Sequence, residues 1–461
     1  MLLIILDYLL YSISPSENFV NMHLKSFYNA YFLYILTYFL SCSMITIHIY
    51  IMLVFLFYHL LTKLTKKKGA DLHMKIHIQN GMVWQKDSFV SQDLVIDGAC
   101  IAYAGPPIPP EADSSVLDAS GQYLLPGIID CHAHVTMVGG SHHMATFFAE
   151  NECELTLEGA INCEKMVRHG ITTARDCGGK RRETFALRDF IRKGAILGPR
   201  LLCSGTPLKI VGGHEPGFNV TGPVEARRAA RQFLYEGADF IKVMITGGLG
   251  KAGEDPGAVE MEPDEIAAIV CEAHKRGKKV ACHCHSRAGM EILLDAGADS
   301  IEHATYLDPE INTRIIEQGV YVVPTFTPYE IAAASEIGCG ILPDAILNSR
   351  AIIGEKRRRL KEAFEQGVPI AFGRDSGGFF MDQGEFADEM LYMQNAGMPA
   401  AAIIQSATEN AAKCLGIWDE TGSLEAGKSA DLLFLKKDPL EDLTAFRNDL
   451  EKVCVSGKIL S

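Results

Sequence analysis

A His-X-His motif, formed by His132 and His134, follows the apolar segment LLPGII. Successive residues of a β-strand point to opposite sides, so the two imidazoles are expected to point the same way at a strand end. Imidazole is the commonest protein ligand for zinc-like ions. Alone, the motif would also fit two hydrogen-bonded structural histidines, but matching residues farther along the chain favour half of a metal site.

Three more histidines end two later apolar segments, His283 and His285 in VACHCHS and His303 in IEH. His283 and His285 share one face of their predicted strand, so either could bind a metal. Cys282 and Cys284 lie on the other face of that strand. We expect these two cysteines to pack as small apolar residues rather than to bind metal.

Lys242 ends the segment ADFIK, and Asp375 ends the segment AFGRD. A lysine in such a place is more often a solvated charge or an anion binder. Next to two metals, its neutral amine could instead take up CO₂ and form a carbamate that bridges both cations, since burial makes the neutral form accessible. The carboxylate of Asp375 could bind a metal and also accept a proton from water, which makes it the candidate general base.

These residues lie along a repeated pattern of strands and helices over residues 126–417. A helical segment ends at a glycine, a β-branched segment follows, and a polar residue stands at its end, which gives eight candidate strands. One helix is predicted over residues 263–276, between Pro263 and Gly277. Alternating strands and helices imply parallel βα units. Eight units predict an α/β fold of the (β/α)₈ TIM-like barrel type, with its chemistry at the carboxyl ends of the strands.

Both flanks of this region are rich in strands and turns. Residues 74–125 and 418–461 hold short apolar segments separated by turn signals such as Asn80-Gly81. We therefore expect a small β-sandwich domain built from the two ends of the catalytic chain.

Residues 1–73 form a hydrophobic N-terminal extension. From residue 29 to residue 62 the chain has no Asp, Glu, Lys or Arg, a stretch longer than the roughly 20 apolar residues needed to span a bilayer. The lysines at 63 and 66–68 follow it, so a membrane anchor would leave the catalytic domain in the cytoplasm. Met74, which opens MKIHIQNGMVW, offers the other interpretation, in which the enzyme starts there and the upstream residues are a mis-assigned start.

Charge and cysteine content limit the classes of partner. The formal net charge of −14 argues against a nucleic-acid partner, which would need clustered Lys and Arg. The 13 cysteines are odd in number and irregularly spaced, so they predict a reducing compartment rather than a disulfide framework. The sequence is compatible with a homo-oligomer and does not decide the oligomeric state.

Several motifs resemble the amidohydrolase superfamily, and more narrowly its Xaa-Pro dipeptidase and imidazolonepropionase-related branch. The resemblance covers about residues 74–461 and includes GADFIKVMITGG, ADSIEHATYLD, SATENAAKCLG and the closing GSLEAGKSADLLFL. It implies a site with two divalent metal ions, zinc by the type of ligand, and CO₂ held as a carbamate on Lys242. The implied ligands of one ion are His132, His134, Lys242 and Asp375, and those of the other are Lys242, His283 and His303.

The same resemblance assigns His283, rather than His285, to the second metal. His283 occupies the place of the single ligand that the family has at the end of its fifth barrel strand. His285 and His214, in VGGHEPG, then become candidate substrate contacts, although His214 could equally be a structural loop residue. If the substrate carries a carboxylate, Arg175 or Arg374 would be a natural partner. Arg374 could also simply form a salt bridge.

The implied reaction is hydrolysis of a C–N bond in a small amide, such as a dipeptide or an N-acyl amino acid. Hydroxide activated by the metals would attack the carbonyl, and Asp375 would carry the proton to the leaving nitrogen. The alternatives are a cyclic amidase of the imidazolonepropionase type and a one-metal deaminase. The deaminases of this superfamily lack the lysine at the end of the fourth barrel strand, so Lys242 argues against a deaminase. A non-catalytic, membrane-tethered scaffold is the alternative from another class, and the complete set of six ligands argues against it.

Overall fold

The computed structural model describes residues 75–140, 143–214, 216–248, 253–378 and 380–460. The chain divides into two units, Met1–His73 and Met74–Ser461, and all described residues belong to the second. The membrane segment predicted at residues 29–62 lies outside the described residues. Among the residues that are described, no helix is both long and apolar enough to cross a membrane.

Strands from both ends of the described chain form one sheet. Hydrogen bonds join eight strands in the order β17-β16-β15-β5-β1-β2-β3, with β4 paired to β1. The strands of this sheet are β1 (Ile76–Gln85), β2 (Ser88–Asp97), β3 (Cys100–Gly105), β4 (Ser115–Asp118), β5 (Tyr123–Pro126), β15 (Leu432–Leu435), β16 (Leu450–Val455) and β17 (Lys458–Leu460). The antiparallel pairing of β5 with β15 joins the two ends. Ile78, Leu124 and Phe434 are fully buried in its core, so burial of apolar side chains from both ends stabilises the sheet.

The remaining strands are short and form two smaller sheets, in which all paired strands run parallel. One sheet has the order β6-β7-β8 and the other β10-β9-β11-β12-β13-β14. Their bounds are β6 (Ile128–Ala133), β7 (Ile171–Asp176), β8 (Arg200–Cys203), β9 (Leu208–Ile210), β10 (Phe218–Val220), β11 (Ile241–Met244), β12 (Val280–Cys284), β13 (Ser300–His303) and β14 (Tyr321–Val323). Seven of the eight strands predicted for the barrel are present here.

The eighth predicted strand, residues 368–375, lies between these two sheets as an extended segment. It makes single parallel bridges, Ile370 to Val322 of β14 and, just beyond it, Ser376 to Ala133 of β6. At the other junction, the backbone N–H of Asp239 donates to the carbonyl of Cys203 at 2.9 Å. The two sheets are thus joined through residues 370–376 on one side and through Cys203 and Asp239 on the other.

Helices follow most of these strands. They are α1 (His143–Ala149), α2 (Glu152–Arg168), α3 (Glu183–Arg192), α4 (Gly222–Glu236), α5 (Pro263–His274), α6 (Arg287–Ala296), α7 (Pro309–Gln318), α8 (Thr327–Ala334), α9 (Pro343–Gln366), α10 (Ala387–Asn395), α11 (Ala400–Ser406), α12 (Glu409–Leu415) and α13 (Ala445–Asn448). The helix predicted over 263–276 is α5, which begins in a capping box of Glu262 and Glu265. Gly297 and Gly319 end α6 and α7 in the left-handed conformation that favours glycine.

Candidate metal centre and active site

His132, His134 and Asp375 meet at the carboxyl ends of β6 and of the extended segment that follows β14. The Oδ1 atom of Asp375 lies 3.4 Å from His132 Nε2 and 3.2 Å from His134 Nε2. The candidate ligand atoms of the three residues all lie within 4.8 Å of one another. Both histidines are buried, whereas the Asp375 side chain is 24% exposed, so the group is open to solvent on the aspartate side.

The hydrogen bonds of both histidines leave Nε2 available. His132 Nδ1 lies 2.8 Å from Glu302 Oε2, and His134 Nδ1 lies 2.9 Å from the Gly178 carbonyl. A carboxylate and a carbonyl oxygen can only accept, so Nδ1 carries the hydrogen in each ring and the Nε2 lone pairs point toward Asp375. Two lone pairs and a carboxylate facing one point are a donor set that fits a divalent cation.

Lys242 of β11 lies beside this group. Its side chain is buried, and Nζ is 3.3 Å from His132 Nε2. No carboxylate pairs with it among the described residues. The structure therefore brings Lys242 into contact with the predicted ligands of the first metal.

His283 and His303 form a second group next to the first. Their ring centroids are 4.5 Å apart, and the His303 ring is 5.0 Å from that of His132. His303 Nδ1 lies 2.6 Å from Thr325 Oγ1, which leaves Nε2 of His303 for another partner. Burial, followed by the neighbouring histidines and Lys242, holds the pKa of His283 and that of His303 well below the usual range. Both rings are thus held in the neutral form that binds metals.

Two of the predicted ligands have a strained backbone. His303 and Asp375 adopt the left-handed conformation, with φ of 71° and 57°, which costs a non-glycine residue on the order of 1–3 kcal/mol. The Asp375 backbone N–H donates to the His132 carbonyl at 2.7 Å. The Lys356 ammonium donates to the His303 carbonyl. These bonds tie both strand ends to neighbouring segments of the chain.

His285 lies on the far side of the second group. Its ring stacks on that of His303 with centroids 5.1 Å apart, Nδ1 is 2.8 Å from Thr305 Oγ1, and Nε2 is 3.4 Å from the Tyr329 hydroxyl. Sequence reasoning missed Tyr329 of α8, for which the only signal was its position shortly after the strand VYVV. The arrangement places His285 and Tyr329 as one wall beside His303.

His214 lies against the opposite side of His283. The two rings stack with centroids 4.4 Å apart, and His214 Nδ1 is 2.9 Å from Glu254 Oε1. The His214 side chain is partly exposed. The structure thus brings His214 to the second group, as a substrate contact requires, and shows a partner, Glu254, that the sequence did not indicate.

Arg175 was predicted as a substrate contact, and the structure corrects this prediction. Its guanidinium is buried and bonded internally, from Nη2 to Glu302 Oε1 at 2.7 Å, from Nη1 to Ser300 Oγ at 3.0 Å, and from Nε to the Cys131 carbonyl. It has no free face for a ligand. Its function is to fix Glu302, which sequence reasoning missed and which in turn orients His132.

Arg374 takes the simpler of the two predicted roles. The fully buried side chain pairs with Asp130, from Nε to Oδ2 at 2.8 Å, and donates to the carbonyls of Gln383 and Glu385. Asp130 also accepts from the backbone N–H of His132. Arg374 therefore braces the strand that carries the His-X-His motif and does not face a substrate.

Comparison with known proteins defines the class. The model of the amidohydrolase family matches residues 123–460, and the chain belongs to this family. It is 30% identical over 362 residues to the ochratoxinase of Aspergillus niger, covering 70% of this chain and 72% of that protein. It is 26% identical over 381 residues to the imidazolonepropionase of Agrobacterium fabrum, covering 72% and 81%.

Solved structures give the same result. A Xaa-Pro dipeptidase with methionine bound in its active site superimposes with a TM-score of 0.78 at 31% identity, covering 84% of this chain and 100% of that one. The crystal structure of the A. niger ochratoxinase has a TM-score of 0.73 at 26% identity, covering 84% and 95%. The protein is a hydrolase that acts on carbon–nitrogen bonds.

Proposed function

We propose that the protein is a binuclear metal-dependent amidohydrolase that cleaves the amide bond of a dipeptide or an N-acyl amino acid. The observation that carries this proposal is the position of Lys242, whose Nζ is 3.3 Å from His132 Nε2, beside two groups of metal-binding side chains. One group is His132, His134 and Asp375, and the other is His283 and His303. A lysine carbamate between the groups would complete both.

The donor set fits two zinc ions. His132, His134 and Asp375 would hold one ion, His283 and His303 the other, and the carbamate of Lys242, formed with CO₂, would bridge them. Bound divalent ions supply an activated water and polarise the substrate carbonyl. The buried, neutral imidazoles suit ions that prefer nitrogen ligands.

Asp375 is the proton carrier in this proposal. It is the one predicted ligand with a substantially exposed side chain, so it can reach both the nucleophile and the leaving nitrogen. Its carboxylate would accept a proton at the start of the reaction and deliver it to the amine that leaves. The histidines around it are fixed by hydrogen bonds and cannot exchange roles with it.

The substrate would lie against the walls formed by His285 with Tyr329 and by His214 with Glu254. Both walls present ring nitrogens, a hydroxyl or a carboxylate beside the metal groups. The choice of a dipeptide or an N-acyl amino acid is supported by two relatives, an ochratoxinase and a Xaa-Pro dipeptidase. Arg175 has no part in substrate binding here.

We also infer that the parallel strands close into a (β/α)₈ barrel. The supporting contacts are the bridges that residues 368–376 make to β14 and β6 and the bond between Asp239 and Cys203. Barrel closure would place all six ligands at one rim. The superposition on a Xaa-Pro dipeptidase over 84% of the chain supports the same arrangement.

Metal analysis combined with a hydrolysis screen tests the proposed function. The screen covers dipeptides, N-acyl amino acids and lactams, so it also tests the cyclic amidase alternative. We expect two divalent ions per chain, and Lys242→Ala should lower kcat/KM at least about 100-fold. Lys361→Ala, on the exposed face of α9, is the control. One ion per chain with unmodified Lys242 would favour a deaminase, and full activity of Lys242→Ala with both metals would exclude the bridging carbamate.

A further inference from the structure

Besides Lys242, the buried basic side chains Arg175, Arg374 and Lys356 lie near the metal groups. Arg175 pairs with Glu302 at 2.7 Å, and Arg374 pairs with Asp130 at 2.8 Å. The third is Lys356 of α9. Both arginines have their charges balanced within the protein, so neither can balance the charge of a ligand.

Lys356 differs from the arginines because the carboxylates that act on it, Glu389, Asp375 and Glu330, do so through space without forming an ion pair. Its side chain is buried, with 2% of the residue exposed, and it makes no ion pair within the described parts of the chain. Its ammonium donates a hydrogen bond to the His303 carbonyl. The other contacts are ring faces, with Nζ 5.0 Å from the Tyr329 centroid and 5.3 Å from the Phe326 centroid.

A buried ammonium without an ion pair is unfavourable, and burial accordingly lowers the pKa of Lys356 to about 7, although Glu389, Asp375 and Glu330 raise it. Buried charges in proteins are normally paired, and aromatic faces compensate an ammonium only in part. One backbone carbonyl uses one of the three N–H donors of Lys356. The ammonium therefore still offers hydrogen bonds, and an anion placed beside it would be strongly favoured.

The surroundings of Lys356 show where that anion would lie. The Tyr329 ring under its ammonium carries the hydroxyl that lies 3.4 Å from His285 Nε2. The Lys356 ammonium also donates to the carbonyl of His303, whose ring stacks on that of His285 with centroids 5.1 Å apart. Lys356 thus belongs to the wall beside His303.

We propose that Lys356, together with the Tyr329 hydroxyl, binds the carboxylate of the substrate and so selects amides of amino acids. This inference rests on the proposed function and deepens it. In an N-acyl amino acid or a dipeptide, the α-carboxylate is one carbon from the scissile nitrogen, so its binding group must adjoin the metal groups. Lys356 meets this requirement because its ammonium contacts the backbone of His303.

The competing explanation is that Lys356 only holds the His303 carbonyl in its left-handed conformation. That role would make Lys356 a positioning residue and would affect every amide equally. A carboxylate-binding role instead affects only substrates that carry the charge. A matched pair of substrates, the best acid from the screen and its carboxamide, separates the two explanations.

The experiment compares the metal-loaded wild type with Lys356→Met, Lys356→Arg and the control Lys361→Met from the exposed face of the same helix. A charge-assisted hydrogen bond predicts that the wild type prefers the acid over the carboxamide by about 100-fold in kcat/KM. Lys356→Met should lose about 100-fold on the acid and less than about 3-fold on the carboxamide, with its metal content unchanged. Lys356→Arg should recover part of the loss, and Lys361→Met should behave like the wild type.

Calorimetry with L-methionine and L-methioninamide gives a readout that does not depend on turnover. We expect L-methionine to bind to the wild type but not to Lys356→Met, and the amide to bind to neither. Equal losses on acid and carboxamide, or loss of metal from Lys356→Met, would overturn the proposal. Equal kcat/KM values of the wild type on the acid and on its carboxamide would also overturn the proposal. If the wild type cleaves no amide but still binds L-methionine through Lys356, the proposed function fails and the carboxylate site stands.

Discussion

His132 and Glu302 lie 170 residues apart in the sequence, and His132 Nδ1 lies 2.8 Å from Glu302 Oε2 in the structure. Glu302 also accepts from Arg175 and from Ser300. Burial alone would raise the pKa of Glu302, but the Arg175 guanidinium and His132 outweigh it and bring the pKa down to about 2. Glu302 is therefore a fixed anion that sets the orientation of His132.

Glu302→Gln should weaken metal binding at the His132 group. Partners of this kind that orient a ligating histidine are worth about 10–100-fold in metal affinity, and glutamine keeps the size of the side chain while removing its charge. Competition with a chelator measures the effect. Glu310→Gln, an exposed position on α7, is the control. Metal affinity equal to that of the wild type would show that His132 needs no charged partner.

The candidate ligands could be predicted from the sequence because each depends on a local pattern. His132, His134, Lys242 and His303 each end an apolar segment, and alternation along a strand decides which side chains share a face. The structure brings these residues together. Their partners could not be predicted, since Glu302, Glu254 and Tyr329 reach the site through contacts between distant segments.

The erroneous assignment of Arg175 shows the limit of this reasoning. Arg175 stands one residue before the end of β7, a position that suggested a side chain open to substrate. Its actual direction depends on Glu302, whose charge it neutralises in the interior. Lys356 was missed for the opposite reason. It lies within a long, highly charged helix, where nothing in the sequence marks one lysine as buried.

The pair of Arg374 and Asp130 should be important for stability. Both side chains are fully buried, so removing one leaves the other as an uncompensated charge. Arg374→Met should lower the free energy of unfolding by about 3–5 kcal/mol, as measured by urea denaturation. Arg358→Met, at an exposed ion pair of α9, should change it by less than about 1 kcal/mol. A small effect of Arg374→Met would mean that Asp130 finds another donor.

Glu389 should make the stability of the protein depend on pH. Burial raises its pKa from an ordinary 4.5 to about 7, although Thr327 and the backbone of Phe326 donate to the carboxyl. Between these two values the folded protein holds the proton and the unfolded chain does not. Because the folded state then binds more protons, the free energy of unfolding should fall as pH rises through this window.

The comparison with Glu389→Gln subtracts the titration of every group that does not interact with Glu389; Lys356, whose pKa Glu389 raises, is the exception. Relative to this variant, we expect the wild type to lose about 1–3 kcal/mol of stability between pH 5 and pH 7.5. Urea denaturation at both pH values measures the difference. Glu365→Gln, exposed on α9, should show no such dependence. A difference independent of pH would mean that Glu389 is already ionised at pH 5.

His283 and His285 should differ in what they bind, although they share one strand end. The His283 ring lies between His214 and His303, whereas His285 is bonded to Thr305 through Nδ1 and approached by the Tyr329 hydroxyl at Nε2. His283→Asn should therefore lose one of the two proposed ions. His285→Asn should keep both ions and lose only catalytic activity. Elemental analysis of the purified variants beside kcat/KM distinguishes them, and loss of an ion from His285→Asn alone would exchange the two assignments.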